Sequence, residues 1–175
     1  MLKTAECLTT EQRNVAIDEV IKSQDTDFMV IMKPGIEFKQ DLPVILQKLV
    51  DIVSGSRYSY LVALPGELDR PILASTENTV ATLTCPDGFV LLTKTAVESV
   101  GYFNAKLDGE LQMQEYLARV NRMAGICPEF FVCIANSQQY FSFSIPPAQD
   151  AAMFEKYNKC IERINKGYDL RIKRK

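Results

Sequence analysis

Asp25 to Phe38 reads DTDFMVIMKPGIEF, and the division of this stretch between strand and turn sets the fold. Phe28 to Met32 is a continuous apolar run, the mark of a strand covered on both faces rather than one with a wet side. Lys33-Pro34-Gly35 ends it with a turn. Asp25 and Asp27 precede the run, separated by one residue, a spacing at which two carboxylates can share a divalent cation. They stand at the amino end of the strand, whereas ligands of open α/β sheets collect beyond the carboxyl ends. The pair therefore reads as a polar turn between helix and strand. The place for a ligand is the other end, at Lys33-Pro34-Gly35 and Glu37.

Upstream, Thr9 offers a helix cap with Gln12 three residues on, and Val15, Ile17, Val20 and Ile21 continue a helix over about 10–23. Downstream, Asp41 is the expected N-cap of the best amphipathic pattern in the chain. Its apolar positions are Leu42, Ile45, Leu46, Leu49, Val50 and Val53, with Gly55 closing it. Short β-branched or aromatic runs follow at Tyr58–Leu64, Ile72–Ala74, Val80–Thr84 and Phe89–Thr93, divided by Pro65-Gly66, Pro71 and Pro86-Asp87-Gly88. A short helix over Thr95–Val100 precedes a loop, and Met113, Tyr116, Leu117, Val120 and Ala124 place a longer helix over Leu111–Ala124. Strands are expected near Phe130–Ala135 and Tyr140–Phe143. A last helix starts at Pro146-Pro147 and ends at Gly167, with Phe154, Tyr157, Ile161 and Ile164 on one face. This order predicts one α/β layered domain over residues 1–170, with a largely parallel mixed sheet of Rossmann-like type, and a basic tail at 171–175.

The chain has 175 residues, 47% of them hydrophobic, enough for a single sizeable core. Twenty basic against 22 acidic residues give a net charge of −2, which supplies no global field for nucleic acid or membrane. Arg171-Ile172-Lys173-Arg174-Lys175 is the one local cationic run, read first as a solvated tail and second as a phosphate, nucleic-acid or acidic-partner contact. Five cysteines without a CxxC pair fit reduced thiols in the cytoplasm better than a disulfide frame. There is no histidine. That removes the commonest general base near neutral pH, the Ser-His and Cys-His nucleophile pairs and the commonest transition-metal ligand. No apolar run approaches the ~20 residues that span a bilayer, and the start MLKTAECLTTEQR lacks the apolar centre of a signal peptide.

Three stretches together resemble the second half of a family-two glycosyltransferase with the GT-A fold. TEQRNVAIDEVIKSQDTDFMVIMKPGIEFKQDLPVILQKLV (10–50) is similar to the segment in which an arginine-asparagine helix leads into a buried strand, an acidic metal-binding turn and a helix. DGFVLLTKTAVESVGYFNAKLDGE (87–110) is similar to the acceptor-side segment, where a glycine and an apolar strand lead to a helix and a G-x-F-D-E loop. MQEYLARVNRMAGICPEFFVC (113–133) is similar to the helix that carries the catalytic acid and a trailing R…AG. The resemblance covers about residues 10–143.

It is most informative where it breaks. Lys33 and Gly35 stand where the metal-binding carboxylates belong, and neither offers a side-chain oxygen to a hard cation. The acceptor loop is Gly101-Tyr102-Phe103-Asn104-Ala105, without its two acids. The acidic pair of the catalytic helix falls at Gln112-Met113 if Arg119 is matched, leaving Glu115 as the surviving acid, or at Glu110-Leu111 if loop length is kept, leaving Glu110. Thirteen residues precede Asn14, too few for a βαβ unit of ~30 residues. The nucleotide half of the pocket is therefore expected to be incomplete, and the sheet to be uncovered there.

The resemblance thus implies a binding module, with neither metal nor cofactor, that associates with a protein, including a second copy, through the uncovered sheet, or holds a glycan or nucleotide-sugar. The alternative is an active transferase. In it Glu110 or Glu115 deprotonates an acceptor hydroxyl, and Lys33 or Arg119 offsets the leaving diphosphate in place of a metal. Lys33, Glu37 and Arg119 are the candidate substrate-binding residues. Each has a plainer role: Glu37 a solvated loop acid, Glu110 and Glu115 acids at a helix start favoured by the dipole, Arg119 an ion-pair partner of those glutamates.

Overall fold

Residues 2–6, 9–64, 72–83, 85, 88–107 and 109–143 are described by a computed structural model. In it Phe28–Met32 is the strand its sequence predicts. The order is β1 (Leu2–Glu6), α1 (Thr10–Lys22), β2 (Phe28–Met32), β3 (Ile36–Phe38), α2 (Leu42–Ser54), β4 (Tyr60–Ala63), β5 (Ala74–Ser75), β6 (Thr79–Thr82), β7 (Phe89–Thr93), α3 (Lys94–Val100), α4 (Gly109–Met123), β8 (Phe131–Ile134) and β9 (Phe141–Phe143), with one 3-10 turn at Ser137–Gln139 before β9. The helix expected from Pro146 to Gly167 and the basic tail lie outside the described residues.

Local chemistry explains the helix limits. Thr9 accepts from the Gln12 backbone N–H while the Gln12 side chain accepts from Thr9, a complete capping box that satisfies two orphan donors of α1. In α2 the Asp41 carbonyl, not its carboxylate, receives Val44 and Ile45 N–H. Thr93 caps α3 by accepting from Ala96 N–H at 3.2 Å, so a strand residue doubles as the start of the next helix.

Seven strands form one sheet in the order β1-β2-β7-β4-β8-β6-β5, and β3 pairs with β9 in a separate two-stranded sheet. The large sheet is layered α/β and mixed, but not largely parallel as the apolar runs suggested. Only β1–β2 and β4–β8 are parallel; β2–β7, β7–β4, β8–β6 and β6–β5 are antiparallel. A continuous apolar run reports that both faces are covered and says nothing of direction. β7 illustrates the point: inserted antiparallel between β2 and β4, it is buried along Phe89–Leu92. A second correction concerns the first thirteen residues. β1 pairs in parallel with the whole of β2, so the sheet expected to be uncovered there is covered along that edge, and among the described strands β1 is the outermost on that side.

Helices α1, α3 and α4 pack on one another, while α2 packs against β4. Ile17 and Val20 of α1, Ile45, Leu49 and Val53 of α2, and Met113, Leu117 and Val120 of α4 meet the buried runs of β2, β4, β7 and β8 in one core. Of the cysteines, Cys85 and Cys133 are buried and Cys127 is exposed; Cys7 and Cys160 lie outside the described residues. Among the described residues no helix is long and apolar enough to cross a membrane.

Candidate functional site

The carboxyl end of β2 is the position at which a ligand was expected. Met32 lies opposite Phe89, and Lys33 N–H donates to the Gly88 carbonyl at 2.8 Å, so the end of β2 and the start of β7 form one floor. Gly35 turns the chain with φ 85°, a left-handed conformation open to glycine at little cost. The turn feeds β3, which pairs antiparallel with β9: Ile36 opposite Phe143, Glu37 opposite Ser142, Phe38 opposite Phe141. Alternation sends Ile36, Phe38, Phe141 and Phe143 to one face of this ribbon and Glu37 and Ser142 to the other.

The aromatic face rests on the floor. Phe141 is 1% exposed, with its ring 4.7 Å from that of Phe89 and 5.7 Å from that of Phe38. Phe143 lies against Gly88 so closely that a Cβ there would stand 3.1 Å from the ring. Glu37 is exposed and accepts from Ser142 Oγ at 3.2 Å. At the other end of β2, Asp25 and Asp27 are both exposed and flank buried Thr26, whose hydroxyl bonds Ser23 at 2.8 Å, as befits a turn between helix and strand.

The second candidate region joins α1, the Gly101–Leu107 loop and α4. Gln112, at one of the two positions where the catalytic acid was expected, is 1% exposed. Its Oε1 accepts from Arg13 Nη1 at 3.0 Å. Its Nε2 lies within donating distance of Thr10 Oγ1 (2.7 Å), Leu107 O (2.7 Å) and Asn104 O (3.0 Å), more acceptors than its two hydrogens can serve at once. Asn14 grips the same loop, accepting from Phe103 N–H at 2.8 Å. The rings continue the latch: the Arg13 guanidinium lies 5.4 Å from the centre of Phe103, Phe103 stacks on Tyr116 at 4.0 Å, and Arg119 lies 5.2 Å from Tyr116. Sequence reading missed Arg13 and Asn14 as a packing pair. The available signal was a strongly polar pair inside the first turns of an amphipathic helix.

Arg119 and Glu115 form the i, i+4 ion pair that was the plainer reading, at 2.8 Å. The same guanidinium donates to Val100 O at 3.0 Å and Tyr102 O at 2.9 Å, which closes the end of α3 against α4. Glu110 falls in the first turn of α4; its side chain is outside the described set. Among the described candidates, Glu37 is bonded to Ser142 and Glu115 to Arg119. Among the described residues no group of three His, Cys, Asp or Glu side chains could hold a metal ion.

Two buried phenols carry displaced ionisation. Tyr60 accepts from Val132 N–H at 3.3 Å and can donate to Phe130 O at 3.3 Å; burial, then the nearby Cys85, pushes its pKa far above the usual value. Tyr116 donates to Gly101 O at 3.0 Å and is raised by burial against the opposing pull of Arg119. A folded-state pKa above the unfolded value of about 10 gives stability that is complete below that pH and lost as pH rises through it toward the folded value. Denaturant melts at successive pH values should therefore show unfolding free energy falling above pH ~10 by up to ~1.4 kcal/mol per pH unit for each phenol. Tyrosinate absorbance rising at pH ~10 for these two phenols in the folded state would contradict the assignment.

No family model and no curated protein matches the chain. A solved structure described as A197 from STIV is similar over 81% of this chain and 78% of its own, with 12% identity and a TM-score of 0.47.

Proposed function

We propose that this is a family-two-like glycosyltransferase domain that does not transfer sugar and serves instead as an association module, for a protein partner or a glycan. The observation that carries the reading is Gln112: at a position where the resemblance expects an acid stands a buried amide used to tie α1, a loop and α4 together. Three further placements support it. Lys33-Pro34-Gly35 occupies the metal turn, aromatic rings fill the space beyond β2 and β7, and Glu115 is spent on Arg119. The order of helix, buried strand, turn and helix over α1–β2–α2, and of strand, helix, loop and helix over β7–α3–α4, is the order the resemblance implies.

Self-association would use the outer edge of β1, whose backbone groups can serve as a template for pairing with another chain. No disulfide joins the described cysteines to one another, which suits a reducing, cytoplasmic compartment. The alternative, an active transferase, rests on Glu110 as base with Lys33 facing the leaving group, because Arg119 is already engaged three times.

Titration calorimetry with uridine- and guanosine-diphosphate sugars, with and without manganese, is expected to give no saturable heat. A saturable signal would return the domain to the transferases. Light scattering over a concentration series is expected to show dimer formation, and a strict monomer at high concentration would remove self-association.

A further inference from the structure

The β3–β9 ribbon is a two-stranded sheet separate from the large one. Two strands alone are marginal in water, so the ribbon takes its order from the seat below it: Phe141 on Phe89, and Phe143 on Gly88. Its own ladder continues beyond the strands, with Lys39 N–H donating to Tyr140 O at 2.9 Å and Gln40 Nε2 to Gln139 O at 3.3 Å. Both strands are therefore tied to each other more regularly than to the body. Each is also approached through a left-handed corner, Gly35 (φ 85°) immediately before β3 and Asn136 (φ 53°) at the head of the 3-10 turn before β9. Corners of this kind, a few residues at element ends, are where hinge motions are absorbed.

We propose that the ribbon is a lid. It lifts as one unit about Gly35 and Asn136 and uncovers the carboxyl end of β2, the kind of position at which open α/β sheets take ligands, together with the amino end of β7 beside it. In the closed form Phe141 fills the seat; in the open form the face of Phe89 offers a slot for a planar apolar group. The inference is independent of the sugar-transfer reading, since it follows from the seat and the corners alone.

Native-state hydrogen exchange on the whole chain tests it. The amides of residues 37–39 and 141–143 should share one opening constant, at least about tenfold larger than that of β4 and β7, as expected of a cooperative sub-global unit. Exchange of the ribbon only through global unfolding, or different constants for its two strands, would overturn the proposal. Phe143→Ala, which removes a partly buried ring, should raise the shared constant by on the order of tenfold or more and leave β4 unchanged. Anilinonaphthalene sulfonate, used as the planar apolar probe, should fluoresce more with this variant than with the parent protein. An unaltered ribbon constant or unaltered fluorescence would equally overturn it.

Discussion

Phe141→Ala is expected to lower the unfolding free energy by about 3–5 kcal/mol, the range for removing a fully buried aromatic ring. In a chain of this size the melting temperature should fall by on the order of 10 °C. The reason is the position of the ring rather than its size alone. Phe141 meets Phe38, Phe89 and Phe143 at ring distances of 5.7, 4.7 and 6.4 Å and is 1% exposed, so its loss unseats the ribbon from the sheet. Phe141→Leu, which keeps much of the apolar volume, should recover part of the loss. Ser142→Ala on the outer side should stay within about 0.5 kcal/mol of the parent. Denaturant unfolding followed by far-ultraviolet circular dichroism measures all three, and a Phe141→Ala loss no larger than that of Ser142→Ala would show that the ring is not an anchor.

The second large effect is expected at Gln112. Gln112→Leu removes an acceptor from the buried Arg13 guanidinium and a donor from two loop carbonyls. At ~1–3 kcal/mol for a buried polar group deprived of its bond, and less for the two part-buried carbonyls that water can reach, the loss should reach about 2–4 kcal/mol. The informative companion is Gln112→Glu, which restores the acid that the resemblance expects there. A carboxylate still accepts from Arg13, but it faces the Thr10 hydroxyl and the Asn104 and Leu107 carbonyls with oxygen instead of N–H. This variant should therefore be destabilised at neutral pH and gain no transferase activity. A stable Gln112→Glu protein that turns over a nucleotide-sugar would make the position a vacated catalytic site rather than a latch.

These effects separate what local sequence could show from what it could not. β2 and β7 were legible to the residue because an unbroken apolar run bounded by turn residues has few other structures to adopt. α1 and α2 were legible from a cap and a 3.6-residue stripe, and α4 from the stripe alone. β1 was not, because Leu2-Lys3-Thr4-Ala5-Glu6 carries neither an apolar run nor a strong β-branched pattern. Nor was β3, three residues whose pairing depends on a partner 105 positions away, as Glu37 and Ser142 show. Strand direction was misjudged because side-chain burial is the same for a parallel and an antiparallel neighbour.

The candidate site divides in the same manner. From sequence alone it followed that Asp25 and Asp27 precede their strand, that Lys33-Pro34-Gly35 cannot supply metal-binding carboxylates, and that no histidine is available, since each depends only on residue type and order along one element. Only the tertiary structure decided that Gln112 and Arg13 share a hydrogen bond across 99 residues, that Arg119 also donates to the Val100 and Tyr102 carbonyls, and that aromatic rings fill the floor beyond β2. Those outcomes are contacts between distant segments. Their free energy exists only when the loop, the ribbon and the helices are already in place, and no local pattern records it.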